Sequence, residues 1–355
     1  MTKRIYICHT FYHVYISCLK ELNLPKEEQG NADLLLSSLS NDFGNLKERA
    51  ESSGLFGRVL PYEEKAESYF PQLKKYHKDR GNLFLNMLAR IRFTKLFGKL
   101  QAPFVPVDLK KYEAVYVFCD SDPIGYYLNV YKIPYHALED GLDCIRYYDT
   151  ARYDNRGHFE LKAWMASKNL IFIQNGYAKY CIDMEVNNIS VLPYPCPKYI
   201  EKPREELTDG LSEEDKRILV SVFMENLAQL ENQLARCPKD EPRVLLLSEP
   251  LCDMQTRERI FKDIICDYCK DSVVLIKPHP RDSLDYKKIF ADHIVIEGKF
   301  PMEILNFIPG LTFDKVVSVF TVPDAIKFAG EIVFLGEDFM DKYEEPEIHR
   351  QNEAI

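Results

Sequence analysis

Four apolar residues and a proline-flanked histidine follow one another in the stretch Val273-Val-Leu-Ile-Lys-Pro-His-Pro-Arg-Asp282. The mostly β-branched apolar run predicts a strand buried on both faces, and the prolines end it because they cannot pair within a sheet. Lys277, His279 and Arg281 then stand at the carboxyl end of the strand, where open α/β sheets bind ligands. Two cations and an imidazole that exchanges a proton near neutral pH suit a phosphate-bearing ligand. The alternative is an ordinary turn with solvated charges.

Composition places the chain among soluble globular proteins. It has 355 residues, 46% of them hydrophobic and 28% charged, which predicts about two domains. The net charge of −9 argues against nucleic acid as a bulk partner, because proteins that bind it usually carry a strongly basic face. No apolar run has the length of a membrane span, and the amino terminus enters a strand-like segment without a signal-peptide core. We therefore expect a cytoplasmic protein.

The ten cysteines are scattered, and several lie inside apolar segments, such as Cys8, Cys119 and Cys252. Free cysteine behaves there as a small hydrophobic residue, so we expect reduced thiols. The Cys-x-x-Cys pair, Cys266 and Cys269, lies in a helical pattern and has no second pair at zinc-ligand spacing. We interpret it as part of a buried helix rather than as a metal or redox site.

Short apolar runs alternate with helical or polar segments, a pattern typical of parallel α/β domains. The proline-rich segment Pro193-Tyr-Pro-Cys-Pro197 predicts a linker, and we place the domain boundary between residues 200 and 201. The predicted fold class is α/β, with two doubly wound nucleotide-fold domains, 1–200 and 201–355, that face a central cleft. The predicted strands are 4–8, 32–37, 58–61, 114–119, 135–138, 170–173, 244–247, 273–276, 293–296, 315–319 and 332–335, and the clearest helices are 10–22, 212–234, 256–269 and 322–328.

Residues 71–100 stand apart in charge, with eight lysines and arginines against a single acid, Asp79. Interleaved apolar residues make this segment a candidate basic amphipathic helix. Such a helix could lie on an anionic membrane surface, which would place the protein peripherally at the inner face of the cell membrane, or pack against a partner subunit. The alternative is ordinary helix packing with a solvated basic face.

Other predicted strand ends also carry polar residues. Ser318 and Thr321 precede the predicted helix 322–328, which Pro323 helps to open, so they are placed either to hold a phosphate or to cap that helix. Glu139-Asp140-Gly141 puts two carboxylates at a strand end, where one could accept a proton from a sugar hydroxyl, unless both are solvated in a turn. We interpret Asp120-Ser121-Asp122 as a strand-end turn rather than a metal-nucleotide motif. No Gly-x-Gly-x-x-Gly or P-loop pattern occurs, which argues against dinucleotide and NTPase sites.

Taken in order, four segments of the chain resemble bacterial glycosyltransferase family 52, which includes lipooligosaccharide and capsular sialyltransferases. They are Ile5-Tyr-Ile-Cys-His-Thr-Phe-Tyr-His-Val14, Glu139-Asp140-Gly141, Lys277-Pro-His-Pro280 and the segment with Ser318 and Thr321. The resemblance implies a GT-B architecture, in which the second domain binds CMP-sialic acid and the first binds a galactose-terminated acceptor. It also implies a homodimer, with residues 71–100 as a candidate contact.

The resemblance further implies roles for single residues. His279 would assist departure of the CMP phosphate as an acid or hydrogen-bond donor, and an aspartate, either Asp140 or Asp253, would deprotonate the acceptor hydroxyl. The other implied residues are Lys277, Pro278, Pro280, Arg281, Ser318 and Thr321 around the donor phosphate, Glu297 and Glu303 near the ribose or cytosine, and His9, Thr10, His13 and Glu139 on the acceptor side.

Sialyl transfer breaks the bond to a leaving group that is already charged, so protein donors could stabilise it without a metal or another cofactor, and in-line attack would invert the anomeric centre. Two other interpretations remain open. One is a hexosyltransferase that uses a UDP-sugar on the same fold, and the other is a non-catalytic nucleotide- or glycan-binding protein.

Overall fold

The structure, a computed structural model, describes residues 3–118, 120, 123–141, 144–145, 150–238, 240–321 and 325–349. The chain divides into two compact units, Met1–Leu211 and Ser212–Ile355. This division falls later than the sequence-based boundary between residues 200 and 201, because the last strand and helix before Leu211 stay with the first unit.

The first unit contains a parallel sheet of seven strands. They are β1 (Arg4–Cys8), β2 (Ala32–Ser37), β3 (Phe56–Tyr62), β4 (Ala114–Phe118), β5 (Tyr135–Leu138), β6 (Cys181–Val186) and β7 (Tyr199–Glu201), in the order β3-β2-β1-β4-β5-β6-β7. The helices are α1 (Phe11–Leu22), α2 (Leu46–Ser52), α3 (Leu83–Gln101), α4 (Pro123–Tyr131), α5 (Thr150–Asp154), α6 (Phe159–Ser167) and α7 (Arg204–Asp209). Every residue of β1 and β2 is buried, as expected for parallel strands covered on both faces.

The second unit repeats the plan with a parallel sheet of five strands. They are β8 (Arg243–Leu247), β9 (Val273–Lys277), β10 (Ile294–Val295), β11 (Phe313–Ser318) and β12 (Ala329–Phe334), in the order β10-β9-β8-β11-β12. The helices are α8 (Glu213–Phe223), α9 (Leu227–Ala235), α10 (Met254–Tyr268), α11 (Tyr286–Ile289), α12 (Gly336–Met340) and α13 (Pro346–His349).

In both sheets the winding reverses once. The reversal lies between β1 and β4 in the first unit and between β8 and β11 in the second. The loops that leave two such strands run apart, and the crevice outside their carboxyl ends is the usual ligand site of an open α/β sheet. The loop after β1 carries His9, and the loops after β8 and β11 carry Glu249 and Thr321.

The predicted α/β class and parallel sheets are confirmed, and the strands 4–8, 32–37 and 135–138 keep their predicted bounds. The predicted strand 170–173 is wrong. Ile171 and Ile173 are buried in irregular chain, where they pack with Met165 and Ala166 of α6. The sheet position belongs instead to β6, whose Asp183 and Glu185 interrupt the apolar pattern. Burial, rather than strand pairing, explains that apolar run.

Three predicted helices change. The predicted helix 212–234 is confirmed at its capping box, Ser212 with Asp215, but it breaks between α8 and α9. The basic helix begins only at Leu83, where Asn82 caps α3, and Pro71–Tyr76 form a 3-10 helix. Of the predicted helix 322–328, residues 322–324, with Pro323, lie outside the described residues, and 325–328 contain no α-helix. Cys119, Ser121 and Asp122 also lie outside the described residues.

Nine cysteines are described, and all nine are free thiols. Cys266 lies on α10 and Cys269 caps its end, as the helical interpretation predicts, but only Cys269 is buried and Cys266 is exposed. Across the described ranges, no helix is both long enough and apolar enough to cross a lipid bilayer.

The contact between α3 and α4 depends on Gly98. A Cβ atom there would lie 2.5 Å from Tyr126 O and 2.5 Å from Val130 Cγ2. We expect Gly98→Ala to lower the free energy of unfolding by about 2 kcal/mol, because the two helices must move apart despite the better helix propensity of alanine. Urea denaturation of both variants measures the effect. Lys99→Ala, at the exposed neighbouring position, is the control and should change the free energy of unfolding little. Equal stability of Gly98→Ala and Lys99→Ala would contradict the close contact.

Candidate active site

His279 is held by its backbone and by one ring nitrogen at the end of β9. Its N–H donates to Ser248 Oγ (3.2 Å), and the N–H of Arg281 donates to His279 Nδ1 (3.1 Å). Because Nδ1 is an acceptor, the proton of the neutral ring must sit on Nε2. Among the described residues none bonds to Nε2, which leaves this N–H available to a ligand.

Burial, together with the charges of Arg281 and Lys277, lowers the pKa of His279 to about 4. The free ring is therefore neutral at physiological pH. It is suited to donate a hydrogen bond from Nε2 rather than to carry a permanent positive charge. Arg281 supplies that charge, since its side chain is exposed and forms no ion pair within the described residues.

The carboxylate of Asp282 anchors the loop that carries His279. The side chain is fully buried, and it accepts hydrogen bonds from Arg257 Nη1 (2.6 Å), Tyr286 Oη (2.7 Å) and the N–H of Leu284 (3.0 Å). A buried ion pair with this many donors is costly to break at one end, so it fixes the loop.

Lys277 does not project from the loop as the sequence led us to expect. It is 3% exposed, its Nζ donates to Pro278 O (2.7 Å), and it lies 4.1 Å from the centre of the Phe300 ring. Burial lowers the pKa of Lys277 to about 7, so the amine is only partly charged at neutral pH. Burial also raises the pKa of Glu303, whose carboxylate is the charge that favours Lys277 protonation.

Ser318 and Thr321 are both engaged inside the protein. Ser318 is fully buried, and its hydroxyl donates to Thr321 O (3.0 Å). The Thr321 hydroxyl donates to Glu249 Oε1 (2.6 Å), and the N–H of Phe320 donates to the same carboxylate (2.9 and 3.0 Å). Burial raises the pKa of Glu249. Of the two hydroxyls that the sequence assigned to a phosphate, that of Thr321 is therefore taken by a carboxylate and that of Ser318 by a backbone carbonyl.

Two other predicted donor-side acids have partners of their own. Asp253 caps α10, where it accepts the N–H groups of Gln255 and Thr256 and the Thr256 hydroxyl, and these bonds lower its pKa. Glu297 pairs with Lys287 (2.6 Å), which lowers its pKa, and it also accepts from Gln229 (3.1 Å). It lines a shallow depression together with Met224, Asn226, Gln229, Leu230, Gln233 and Ile296.

In the first unit, His13 and Asp140 form a hydrogen-bonded pair. The N–H of His9 donates to His13 Nδ1 (3.0 Å), so His13 Nε2 carries the proton and donates to Asp140 Oδ1. Burial lowers the pKa of His13, and its ring stacks on Phe118 at 4.1 Å. The Asp140 side chain is 30% exposed, and among the described residues its Oδ2 has only a distant contact with Cys144 Sγ (4.0 Å). Asp140 is thus a carboxylate with one anchored oxygen and one available oxygen.

Glu64 is hydrogen-bonded to the ring of His9, the residue whose N–H holds His13. His9 Nε2 lies 2.6 Å from Glu64 Oε2, and the same carboxylate accepts the Ser37 hydroxyl (2.7 Å) and the N–H of Ile124 (2.7 Å). It thereby joins the carboxyl ends of β2 and β3 to the start of α4. Sequence reasoning missed Glu64, although its position directly after a strand would have indicated it.

The other predicted acceptor-side residues have hydrogen-bond partners within the fold. Thr10 caps α1 by accepting the N–H of His13 (3.1 Å). Glu139 is buried, accepts the N–H of Asn187 (2.7 Å) and has a pKa raised by burial. Asp120, predicted to lie in a strand-end turn, is also buried. It accepts a hydrogen bond from Tyr135 Oη (2.6 Å), and burial raises its pKa to about 6. In the part of the chain that the structure describes, no group of three or more His, Cys, Asp or Glu residues is arranged to hold a metal.

The fold is similar to that of several bacterial sialyltransferases. The α/β-galactoside α-2,3-sialyltransferase of Photobacterium phosphoreum has a TM-score of 0.53 at 12% identity, over 93% of this chain and 90% of that one. A Photobacterium 2,6-sialyltransferase in a ternary complex with CMP and lactose has a TM-score of 0.57 at 11% identity, over 94% and 71%. The GT-B domain of the Photobacterium damselae sialyltransferase has a TM-score of 0.50 at 13% identity, over 90% and 86%. At these identities the likeness shows the fold, which is GT-B.

Sequence comparison then identifies the family. The chain belongs to glycosyltransferase family 52, whose model matches residues 61–322, and it is therefore a glycosyltransferase. An uncharacterized protein of Haemophilus influenzae is 33% identical over 82 residues. That match spans 22% of this chain and 26% of the Haemophilus protein.

The buried amine of Lys277 predicts a pH-dependent stability. Between about pH 7 and about pH 10, the unfolded chain binds a proton that the folded chain lacks, so this residue makes stability rise with pH. The unfolding free energy of the native protein should therefore increase across this window relative to that of Lys277→Met, in which the other titrating groups are retained. Urea denaturation at several pH values measures the difference. A constant difference would mean that the folded pKa of Lys277 is not depressed.

Proposed function

We propose that this protein is an inverting sialyltransferase, which moves sialic acid from CMP-sialic acid to a terminal galactoside of a bacterial surface glycan, such as lipooligosaccharide or capsule. The observation that carries the proposal is the His279 loop, where a neutral imidazole offers Nε2–H beside the exposed guanidinium of Arg281. Membership of family 52 and the likeness to sialyltransferases support the same reaction class.

The His279 loop would act on the leaving group. Departure of CMP leaves negative charge on a phosphate oxygen, and a donor already held in place stabilises that charge without reorganisation. Nε2–H of His279 would donate to this oxygen, while Arg281 contributes charge. Binding of the phosphate would also raise the pKa of His279, so the ring could become the proton donor as the bond breaks. These protein donors support a reaction without a metal.

Asp140 would act as the base that takes the proton from the acceptor hydroxyl. Its Oδ1 is fixed by neutral His13, and Oδ2 is left to accept a proton. A neutral donor orients the carboxylate without the charge that would weaken it as a base. Of the two aspartates that the sequence left open, we retain Asp140, because both oxygens of Asp253 accept hydrogen bonds at the start of α10. His13 is then a positioning residue.

The depression beside Glu297 would hold the nucleoside. Its lining includes Met224, Leu230 and Ile296, on which a flat base can lie, and Asn226 and Gln229, whose side chains carry amide donors and acceptors. Glu297 is ionised by its pairing with Lys287 and is an acceptor for ribose hydroxyls. The site is suited to a base with both donor and acceptor groups, as cytosine has.

The direct test offers the purified protein CMP-sialic acid with lactose and measures the mass of the product. We expect sialyl-lactose from the native protein. Asp140→Asn and His279→Ala should each reduce kcat/KM by at least about a hundredfold, in line with loss of a general base or of a leaving-group donor.

Asp253→Asn is the matched control for Asp140→Asn, and it should retain activity within about threefold if its carboxylate only caps α10. A hexosyl product formed from a UDP-sugar would show that the donor is a UDP-sugar rather than CMP-sialic acid. The absence of any product would favour a non-catalytic binding protein. Loss of activity in Asp253→Asn but not in Asp140→Asn would identify Asp253, rather than Asp140, as the base.

Glu249 provides a test of the donor phosphate site. If the phosphate approaches the N–H of Phe320 and the hydroxyl of Thr321, it must do so against the charge of Glu249. Glu249→Gln keeps an acceptor oxygen but removes the charge, so KM for CMP-sialic acid should fall at least about threefold.

Glu258→Gln makes the same change of net charge on α10, where Glu258 pairs with Lys262, and it should leave KM unchanged. A KM for Glu249→Gln equal to that of the native protein would place the phosphate elsewhere, near Arg281 and His279 alone.

A further inference from the structure

The first turn of α3 exposes three consecutive apolar side chains. Leu83 is 44% exposed, Phe84 69% and Leu85 46%, and Asn82 caps the helix by accepting the N–H groups of Phe84 and Leu85. Successive residues of an α-helix point about 100° apart, so these three side chains point away from one another around the helix. A flat protein surface could cover two of them at most, whereas a fluid apolar medium would surround all three.

The segment that contains this tip also carries exposed cations with no ion-pair partner among the described residues. Residues 71–100 carry a net charge of +7 in a chain whose total is −9. Within the described residues, Lys74, Lys75, Lys78, Arg80 and Arg92 are exposed and make no ion pair. The single acid, Asp79, instead accepts hydrogen bonds from Asn86 (2.7 Å) and the N–H of Gly81 (2.9 Å). The segment is therefore a strongly basic surface on an acidic protein.

A second exposed apolar pair lies on α6, which shares a hydrophobic cluster with α3. Leu161 is 41% exposed and Trp164 is 55% exposed, and their spacing of three residues puts them on one face of α6. Met87 and Ile91 of α3 join the two helices by packing on the cluster that includes Met165. Tryptophan is enriched where proteins meet the membrane interface.

We propose that this surface, the α3 tip with α6 and the flanking cations, binds the protein to an anionic phospholipid bilayer. Phe84 and its neighbours enter the boundary between headgroups and acyl chains, and the lysines and arginines contact the phosphate headgroups. Apolar side chains combined with basic residues are what peripheral binding to anionic lipid requires. The shape of the tip favours a bilayer over a second copy of the chain, and charge complementarity favours anionic lipid over neutral lipid.

The experiment sediments the full-length protein with vesicles of phosphatidylcholine alone and with vesicles that contain about one third phosphatidylglycerol. We expect binding to the anionic vesicles only, and release at about 0.5 M salt because headgroup attraction is screened. Phe84→Ser should weaken binding at least about tenfold. Lys74→Gln combined with Lys75→Gln should weaken it at least about tenfold as well.

Two control variants match these changes. Met254→Ser removes an apolar residue that is 54% exposed in the first turn of α10, and Lys110→Gln with Lys111→Gln removes an adjacent pair of exposed lysines in a 3-10 helix. Both should bind as the native protein does. Thermal unfolding of each variant distinguishes lost binding from lost folding.

Equal binding to neutral and anionic vesicles, or native binding by Phe84→Ser, would overturn the proposal. So would light scattering that shows a native dimer which dissociates in Phe84→Ser, because the surface would then be a contact between copies. Transfer to lactose in solution does not need the bilayer and should be unchanged in Phe84→Ser. The proposed reaction and this surface can therefore fail independently.

Discussion

A carboxylate buried at the end of a parallel strand must find hydrogen-bond donors, and this constraint governs the loops of both units. Glu64, Glu249 and Asp282 each lie close to a strand end, and each accepts bonds from backbone N–H groups and from hydroxyl or cationic side chains. Leaving such a group without partners would cost several kcal/mol, on the order of the penalty for any unpaired buried charge. The loops are consequently held in one conformation before any ligand arrives.

Among the residues that the structure describes, most acids along these edges are therefore committed to the fold, and few polar atoms remain for chemistry. In the first unit, Asp140 keeps one oxygen open because His13 holds the other. In the second unit, His279 keeps Nε2–H open because the N–H of Arg281 occupies Nδ1. In both places a backbone N–H selects the tautomer of a neutral histidine. A base and a leaving-group donor would thus come from rigid loops, which is the arrangement that electrostatic preorganisation requires.

The sequence predicts the sheets and the loop of His279 because both follow from period and position. Apolar runs ended by Pro278 or by Thr10 mark where strands stop, and polar residues after them point to the ligand edge. It cannot tell a carboxylate that reacts from one that anchors a loop, because both occupy strand ends. Lys277 appeared to be a free cation and is buried, and Asp253 appeared to be a base and caps a helix. The burial of Lys277 depends on contacts across the fold, such as that with Phe300, which spacing does not encode. The cap by Asp253 is a local contact with Gln255 and Thr256, and spacing alone does not show whether an aspartate caps a helix or reacts.

The protonation of His279 is the central claim, and ¹⁵N NMR of its ring measures it directly. With the histidine signals assigned through His279→Ala, the free protein should show protonated Nε2 and unprotonated Nδ1 from about pH 6 upward, since its pKa is depressed to about 4. Addition of CMP should shift the Nε2 signal while Nδ1 stays an acceptor. A charged ring at neutral pH in the free protein, or a proton on Nδ1, would contradict the account.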